Sequence, residues 1–143
     1  AFERFFKAKG GAIVSVLANM RNGFPTLSHT GAARAGVDNL TKTLAWEWGR
    51  FGVRVNAVAP GVINSSGLDS YGPELKQKLL SYGKFNATGR LGSEAEIAAA
   101  IVFLLTPAAR YVTGITLNVD GGESLFNPFC CPTEHDKLPP WAD

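Results

Sequence analysis

Val53-Arg54-Val55-Asn56-Ala57-Val58-Ala59-Pro60-Gly61 is the stretch whose reading decides the fold of this chain. β-Branched and small apolar residues occupy both faces of the run from Val53 to Val58, as in a strand buried within a parallel sheet. Pro60-Gly61 stops it, because proline brings no N–H to a ladder. Two further runs have this character. Ala12-Ile13-Val14-Ser15-Val16 lies upstream, opened by Gly10-Gly11, and Ile115-Thr116-Leu117-Asn118-Val119 lies downstream, ended by Asp120-Gly121-Gly122.

Helical periodicity fills the spaces between them. From Ser28 to Arg50, Val37, Leu40, Leu44 and Trp48 fall close to one stripe, with Asp38, Lys42 and Glu47 free to face outward. Gly52 ends that helix. Ser93 with Glu96 forms a capping box for a helix running to Leu105, closed by Pro107. Residues Ala1–Lys9 carry Phe2, Phe5 and Phe6 at helical spacing, like the last turns of a helix. Val62 to Leu91 is rich in Gly, Ser, Asn and Tyr, with a short helical piece at Pro73–Ser81, and reads as a binding loop or lid.

Strand, helix, strand, helix, strand implies an α/β fold with a parallel sheet. Three strands and two long helices cannot cover both faces of such a sheet, and the first strand needs a neighbour on its other edge. Residues 1–125 are therefore expected to form the carboxy-terminal half of a doubly wound domain, and residues 126–143 an irregular tail.

Composition narrows the function classes. Apolar residues make up 45% of 143 and charged residues 18%, a globular balance, and the net charge of +2 gives no reason to expect nucleic acid or a membrane as partner. The longest apolar stretches fall short of a spanning helix. Cys130 and Cys131 are adjacent and fit a reducing compartment rather than a disulfide framework. His135 and Asp136 lack the further ligands of a metal site, so none is expected.

Arg54 to Gly61, continued by Val62-Ile63-Asn64-Ser65 and joined by Asp120-Gly121-Gly122, resembles the short-chain dehydrogenase/reductase family. The resemblance covers about Gly10 to Leu125 and implies a Rossmann fold, a nicotinamide dinucleotide and hydride transfer. Ligands of open α/β sheets bind beyond the carboxyl ends of the strands, where Pro60 and Gly61 lie. Proline stiffens that turn and glycine lets a flat ring approach the backbone. Backbone groups near Val62 and Ile63 are expected to hold the nicotinamide carboxamide, and Ser65 stands where the family commonly has Thr or Ser. The competing reading is a strand-ending turn with no ligand. Gly10-Gly11 precedes a strand, so it is not the glycine-rich turn that cradles a pyrophosphate. Binding of the dinucleotide by these 143 residues alone is expected to be weak or absent, the other half coming in cis or in trans.

The family's reaction usually relies on a Tyr, a Lys four residues later and a Ser. Matching the motifs places Thr30 at the Tyr position, Arg34 at the Lys position, and Leu17 or Ala18 at the Ser position. The enoyl-CoA and dienoyl-CoA reductases are a branch that tolerates this loss. The run His29-Thr30-Gly31-Ala32-Ala33-Arg34-Ala35-Gly36-Val37 resembles the peroxisomal trans-2-enoyl-CoA reductase type. Hydride addition to a conjugated thioester needs only a donor at the carbonyl oxygen, which Thr30 can be. Arg34 would add fixed charge and hold the ribose, so it counts as both catalytic and cofactor-binding. Asp38 and Lys42 are expected to form an ion pair without a catalytic role, His29 to belong to a loop or cap, and Tyr71 and Tyr82 to pack in the lid.

The resemblance implies NADPH-dependent reduction of the C=C bond of a 2-enoyl-CoA-like thioester, with NADP preferred over NAD. A non-catalytic scaffold or assembly subunit is the alternative, and carbonyl or alcohol oxidoreduction a second. The helices at Ala1–Lys9 and Ser28–Arg50 correspond to a common subunit interface of the family, which implies a homo-oligomer or assembly subunit. Trp141-Ala142-Asp143 does not read as a peroxisomal address.

Overall fold

A strand apolar on both faces must satisfy its backbone polar groups with strands on either side, and the run at Val53 does so. A computed structural model describes residues 1–130 and 132–141. Cys131 and the Ala142-Asp143 ending lie outside them. Strands β1 (Gly11–Val16), β2 (Val53–Pro60) and β3 (Thr116–Val119) form a parallel sheet in the order β1-β2-β3. Gly11 is level with Val53 and Val16 with Val58, while Ala57 is level with Thr116 and Pro60 with Val119. β2 continues past Val58 to Pro60, whose carbonyl accepts the Asn19 N–H at 2.8 Å. The chain after β1 thus stays beside β2 to its carboxyl end.

Side chains of β2 alternate between two layers. Val53 and Val55 meet Ala45, Leu44 and Trp48 of helix α2 (Ser28–Gly49), while Val58 meets Leu104 and Ile101 of helix α4 (Glu94–Leu105). A helical turn at Phe2–Phe6, running into α1 (Lys7–Lys9), closes the α2 side. Its Phe2 ring stacks on Trp48 with centroids 4.3 Å apart. Gly10 is obligatory at the junction with β1: its φ is +67°, and a Cβ there would stand 2.8 Å from the Gly52 carbonyl oxygen. The result is an α/β Rossmann-like layer arrangement. Among the described residues no strand pairs with the outer edge of β1, where Val16 is 57% exposed.

The two polar residues of the deciding stretch serve the α4 side. Arg54 donates to the carbonyls of Leu104 (2.7 Å) and Thr106 (3.1 Å) at the end of α4, and to Val112 (3.3 Å). These include carbonyls that a helix end leaves without intrahelical partners. Asn56 is buried; its amide donates to the Val112 carbonyl at 2.9 Å and its oxygen accepts from the Ile115 N–H at 3.2 Å. At the other end of α4, both bonds of the Ser93–Glu96 capping box are present.

The stripe expected along α2 needs correction. Thr41 and Ala45 are its buried residues, whereas Leu40 is 50% exposed. Small side chains on the inner stripe let the helix lie close to β2, and the bulkier Leu40 falls about a third of a turn away. Asp38 does not simply face outward: it accepts a hydrogen bond from Thr116 of β3 as well as from Lys42.

Candidate functional site

Where β1 and β2 end, the chain leaves the sheet on both sides, and the segment read as a lid borders the space between. The segment Val62 to Leu91 contains helix α3 (Pro73–Leu80), preceded by a turn at Ser66–Ser70 and followed by one at Ser81–Phe85. A cavity of about 530 Å³ results, lined by Asn19, Pro60, Gly61, Tyr82, Glu123 and Phe126 among others. Phe85 packs edge-on against both Tyr82 and Phe126, with centroids 5.2 and 5.3 Å apart. The lining therefore combines aromatic rings with backbone, amide and carboxyl groups.

The polar wall is built by the turn that ends β3. The Asp120 carboxylate accepts from the Gly122 N–H (3.0 Å), the Ser124 N–H (2.9 Å) and the Asn19 amide (3.4 Å). Asp120 thereby ties the β3 end to the segment after β1. Arg21 adds a second tie, donating to the Ser124 carbonyl at 3.1 Å. Glu123 then turns its carboxyl back toward β2, where its Oε2 is buried without a hydrogen-bond partner. Burial pushes this carboxyl above the ordinary range and the adjacent Asp120 charge pushes it further, while the Val62 N–H and the Asn19 amide pull the other way.

Gly61 also has a packing reason. The space a Cβ would need is filled by the protein itself: Glu123 Oε2 would be 2.8 Å away and the Asp120 Cα 2.9 Å. Glycine here admits the β3 turn.

The expected site residues divide. Pro60, Gly61 and Val62 line the cavity. Ile63 packs on Gly92, and the Val62 carbonyl accepts the Gly92 N–H at 3.1 Å, which commits one of the backbone groups expected to face a carboxamide. Ser65 lies on a separate groove with Lys76 and Trp141. Thr30 and Arg34 sit on successive turns of α2 and neither lines the cavity; Arg34 Nε is buried and unpartnered. His29 is exposed at the start of α2. Lys42 is held by Asp38 at 2.6 Å, and the bonds from Lys42 and Thr116 keep the Asp38 carboxyl below its usual range.

Sequence reading missed Asn19, Asp120 and Glu123 as site residues. The available signal was position: an acidic residue just past the carboxyl end of a parallel strand lies where such sheets bind ligands. Among the described residues no cluster of His, Cys, Asp or Glu could hold a metal, and no helix is long and apolar enough to cross a membrane.

Residues 1–124 match the family described as enoyl-(acyl carrier protein) reductase. The chain belongs to the short-chain dehydrogenase/reductase family. Among the relatives of this reductase-family chain, the peroxisomal 2,4-dienoyl-CoA reductase of Mus musculus is 41% identical over 130 residues, covering 89% of this chain and 44% of that protein. The chain thus spans less than half the length of that curated relative. Two solved structures from Pseudomonas aeruginosa PAO1 share its fold. A citronellol catabolism dehydrogenase is 46% identical with a TM-score of 0.70, over 86% of this chain and 46% of that one. An NADPH-bound short chain oxidoreductase containing an atypical catalytic center is 36% identical with a TM-score of 0.67, over 78% and 45%.

A nicotinamide dinucleotide can be tested against the residues of this short-chain dehydrogenase/reductase chain. Pro60, Gly61 and Val62 line the cavity at the carboxyl end of β2, where sheets of this kind bind ligands and where the amide-bearing end of such a molecule fits. Gly10-Gly11 lies at the amino end of β1, remote from the cavity, so it forms no phosphate cradle there.

Proposed function

We propose that this chain is the carboxy-terminal half, residues 1–125, of an NADPH-dependent reductase acting on the C=C bond of a 2-enoyl-CoA-like thioester, with residues 126–143 as its tail. The remaining half is supplied in cis or in trans, and the protein works as an oligomer or assembly subunit. The observation that carries this reading is the cavity at the carboxyl ends of β1 and β2, walled by Pro60–Val62, in a chain 41% identical to a 2,4-dienoyl-CoA reductase.

In this reading Pro60, Gly61, Val62, Ile63 and Ser65 belong to the stretch after β2 that holds the nicotinamide end. The dinucleotide supplies the hydride. Arg34 holds the ribose hydroxyls through its guanidinium N–H donors. Thr30 donates its hydroxyl to the thioester oxygen as charge develops there. The aromatic lid wall excludes water from the acyl chain.

The test is the longest natural form of the protein containing this chain, mixed with NADPH and either a trans-2-enoyl-CoA or a 2,4-dienoyl-CoA. Substrate-dependent loss of nicotinamide absorbance is expected, reduced at least about 10-fold by Thr30→Ala. A protein no more active than its Thr30→Ala form contradicts the role of Thr30, and no turnover with either thioester contradicts the reductase reading.

A second reading, a non-catalytic subunit that kept the fold, is favoured by the placement of Thr30 and Arg34 outside the cavity lining. Calorimetric titration with NADPH separates the two: heat of binding supports the reductase, and its absence supports the subunit.

A further inference from the structure

Reduction of a conjugated thioester needs a proton as well as a hydride. Hydride added at the β-carbon leaves an electron pair shared by the α-carbon and the carbonyl oxygen. That enolate becomes product only when an acid delivers a proton to the α-carbon. The assignments of Thr30 to the thioester oxygen and Arg34 to the ribose leave this proton without a source.

Four polar side chains line the cavity: Asn19, Asn22, Tyr82 and Glu123. The two amides donate hydrogen bonds but do not release protons, and the Asn19 amide is engaged by Asp120 at 3.4 Å. Glu123 is committed to the contact between strand ends: its Oε2 is wedged against Gly61, and the Val62 N–H and the Asn19 amide flank its carboxyl. Thr30, Ser65 and Tyr71 lie outside the lining. Among the described residues, Tyr82 therefore carries the one hydroxyl of the cavity lining.

The lid fixes where that ring stands. Tyr82 belongs to the turn Ser81–Phe85 that follows α3 directly, and the Ser81 hydroxyl donates to the Lys78 carbonyl at 2.8 Å. Gly83 is buried in this turn, where a Cβ would stand 2.8 Å from the Arg90 Cα, so the turn lies tight against the backbone that leads into α4. The Tyr82 ring meets Phe85 edge-on, and Phe85 meets Phe126 in the same way. The ring thus has fixed aromatic neighbours, while its hydroxyl makes no hydrogen bond to another described residue.

We propose that Tyr82 is a catalytic residue of the lid, whose phenol delivers the proton to the α-carbon of the enolate. The inference rests on the reductase reading. As the β-carbon takes the hydride with its two electrons, the C=C π pair passes to the α-carbon and the carbonyl oxygen. The Tyr82 O–H bond then breaks, its proton forms the new α C–H bond, and the electron pair stays on the phenolate. The dihydronicotinamide is oxidised and the C=C bond is reduced. Tyr82 is 38% exposed, so its phenolate regains a proton from solvent, and one hydride and one proton are consumed per product.

The longest natural form of the protein is given a trans-2-enoyl-CoA and NADPH carrying deuterium at the transferred position, in heavy water. Coupling constants in the product give the relative configuration of its two new C–D bonds. Wild type is expected to form one diastereomer. Tyr82→Phe, which keeps the ring on Phe85, is expected to form both, with kcat at least about 10-fold lower and KM changed by less than about 2-fold. With the oxidised dinucleotide present, so that no turnover occurs, a saturated acyl-CoA is expected to shift the ring signals of Tyr82 saturably and to leave those of the exposed Tyr111 in place. Equal kcat and the same single diastereomer from wild type and Tyr82→Phe overturn the role of Tyr82 and leave the reductase reading standing. Both diastereomers from the wild type, or no shift of its Tyr82 signals, overturn that role without recourse to the variant. No turnover by the wild type overturns the reductase reading and the inference with it.

Discussion

The carboxyl of Glu123 occupies the space that a side chain at Gly61 would need, its Oε2 2.8 Å from where the Cβ would stand. Two strand ends meet at this contact, β2 through Gly61 and β3 through the turn carrying Asp120 and Glu123. Gly61→Ala would also press on the Asp120 Cα at 2.9 Å, which is backbone and cannot swing aside. The substitution is expected to destabilise the fold by about 1–3 kcal/mol, read from denaturant midpoints. Adding Glu123→Ala should recover only part of the loss, because the Asp120 clash remains. Full recovery would place the whole constraint on Glu123.

Arg54 ties β2 to the end of α4 through the carbonyls of Leu104, Thr106 and Val112. Replacing it by Met keeps an apolar stem and removes the donors. A loss of at least about 2 kcal/mol is expected, since hydrogen bonds from charged groups are worth about 1.5–3 kcal/mol each. Amide exchange should accelerate locally at residues 104–113. Uniform acceleration across the molecule would argue against a local tie.

Thr26 holds a φ of +68° in a turn closed by the Leu27 N–H on the Phe24 carbonyl at 3.1 Å, with Pro25 before it. That is the glycine position of a type II turn, and a β-branched residue there carries strain. Relief of about 1–3 kcal/mol outweighs the roughly 0.4–1 kcal/mol of added freedom in the unfolded chain. Thr26→Gly is thus expected to stabilise by about 1 kcal/mol, and a lower melting temperature would contradict it.

Glu96 is held at a pKa of about 2, chiefly by its hydrogen bonds from Arg90. Its folded value lies below that of a free glutamate, so the stabilisation is present at neutral pH and disappears as pH falls from about 5 to 2. Wild type should lose about 2 kcal/mol more than Glu96→Gln over that window. Arg90 also donates to the Leu138 and Pro139 carbonyls, so protonation of Glu96 should be accompanied by a change in Trp141 fluorescence. Identical acid profiles for the two proteins would contradict this assignment.

The fold was legible because the strands announce themselves: Val53–Val58 is apolar on both faces, and the Ser93–Glu96 box starts a helix where it should. The stripe of α2 was less legible. Hydrophobicity favours Leu40, but close packing on β2 favours the smaller Thr41 and Ala45, and size prevailed. Pro60 and Gly61 could be placed at a strand end, where ligands of such sheets bind. Glu123 could not be placed, because its approach to Gly61 depends on β3 lying beside β2, a long-range pairing that no local pattern encodes. Thr30 and Arg34 were chosen by correspondence of motifs, and the geometry sets them along α2 rather than around the cavity.

The most direct test of the account is where a nicotinamide ring rests. In methyl-labelled protein of the longest natural form, bound to NADPH, nuclear Overhauser effects between the ring protons and the Val62 methyl groups are predicted, with none to Val16 or Val102. Bound NADPH whose ring contacts methyl groups elsewhere, and not Val62, would contradict it.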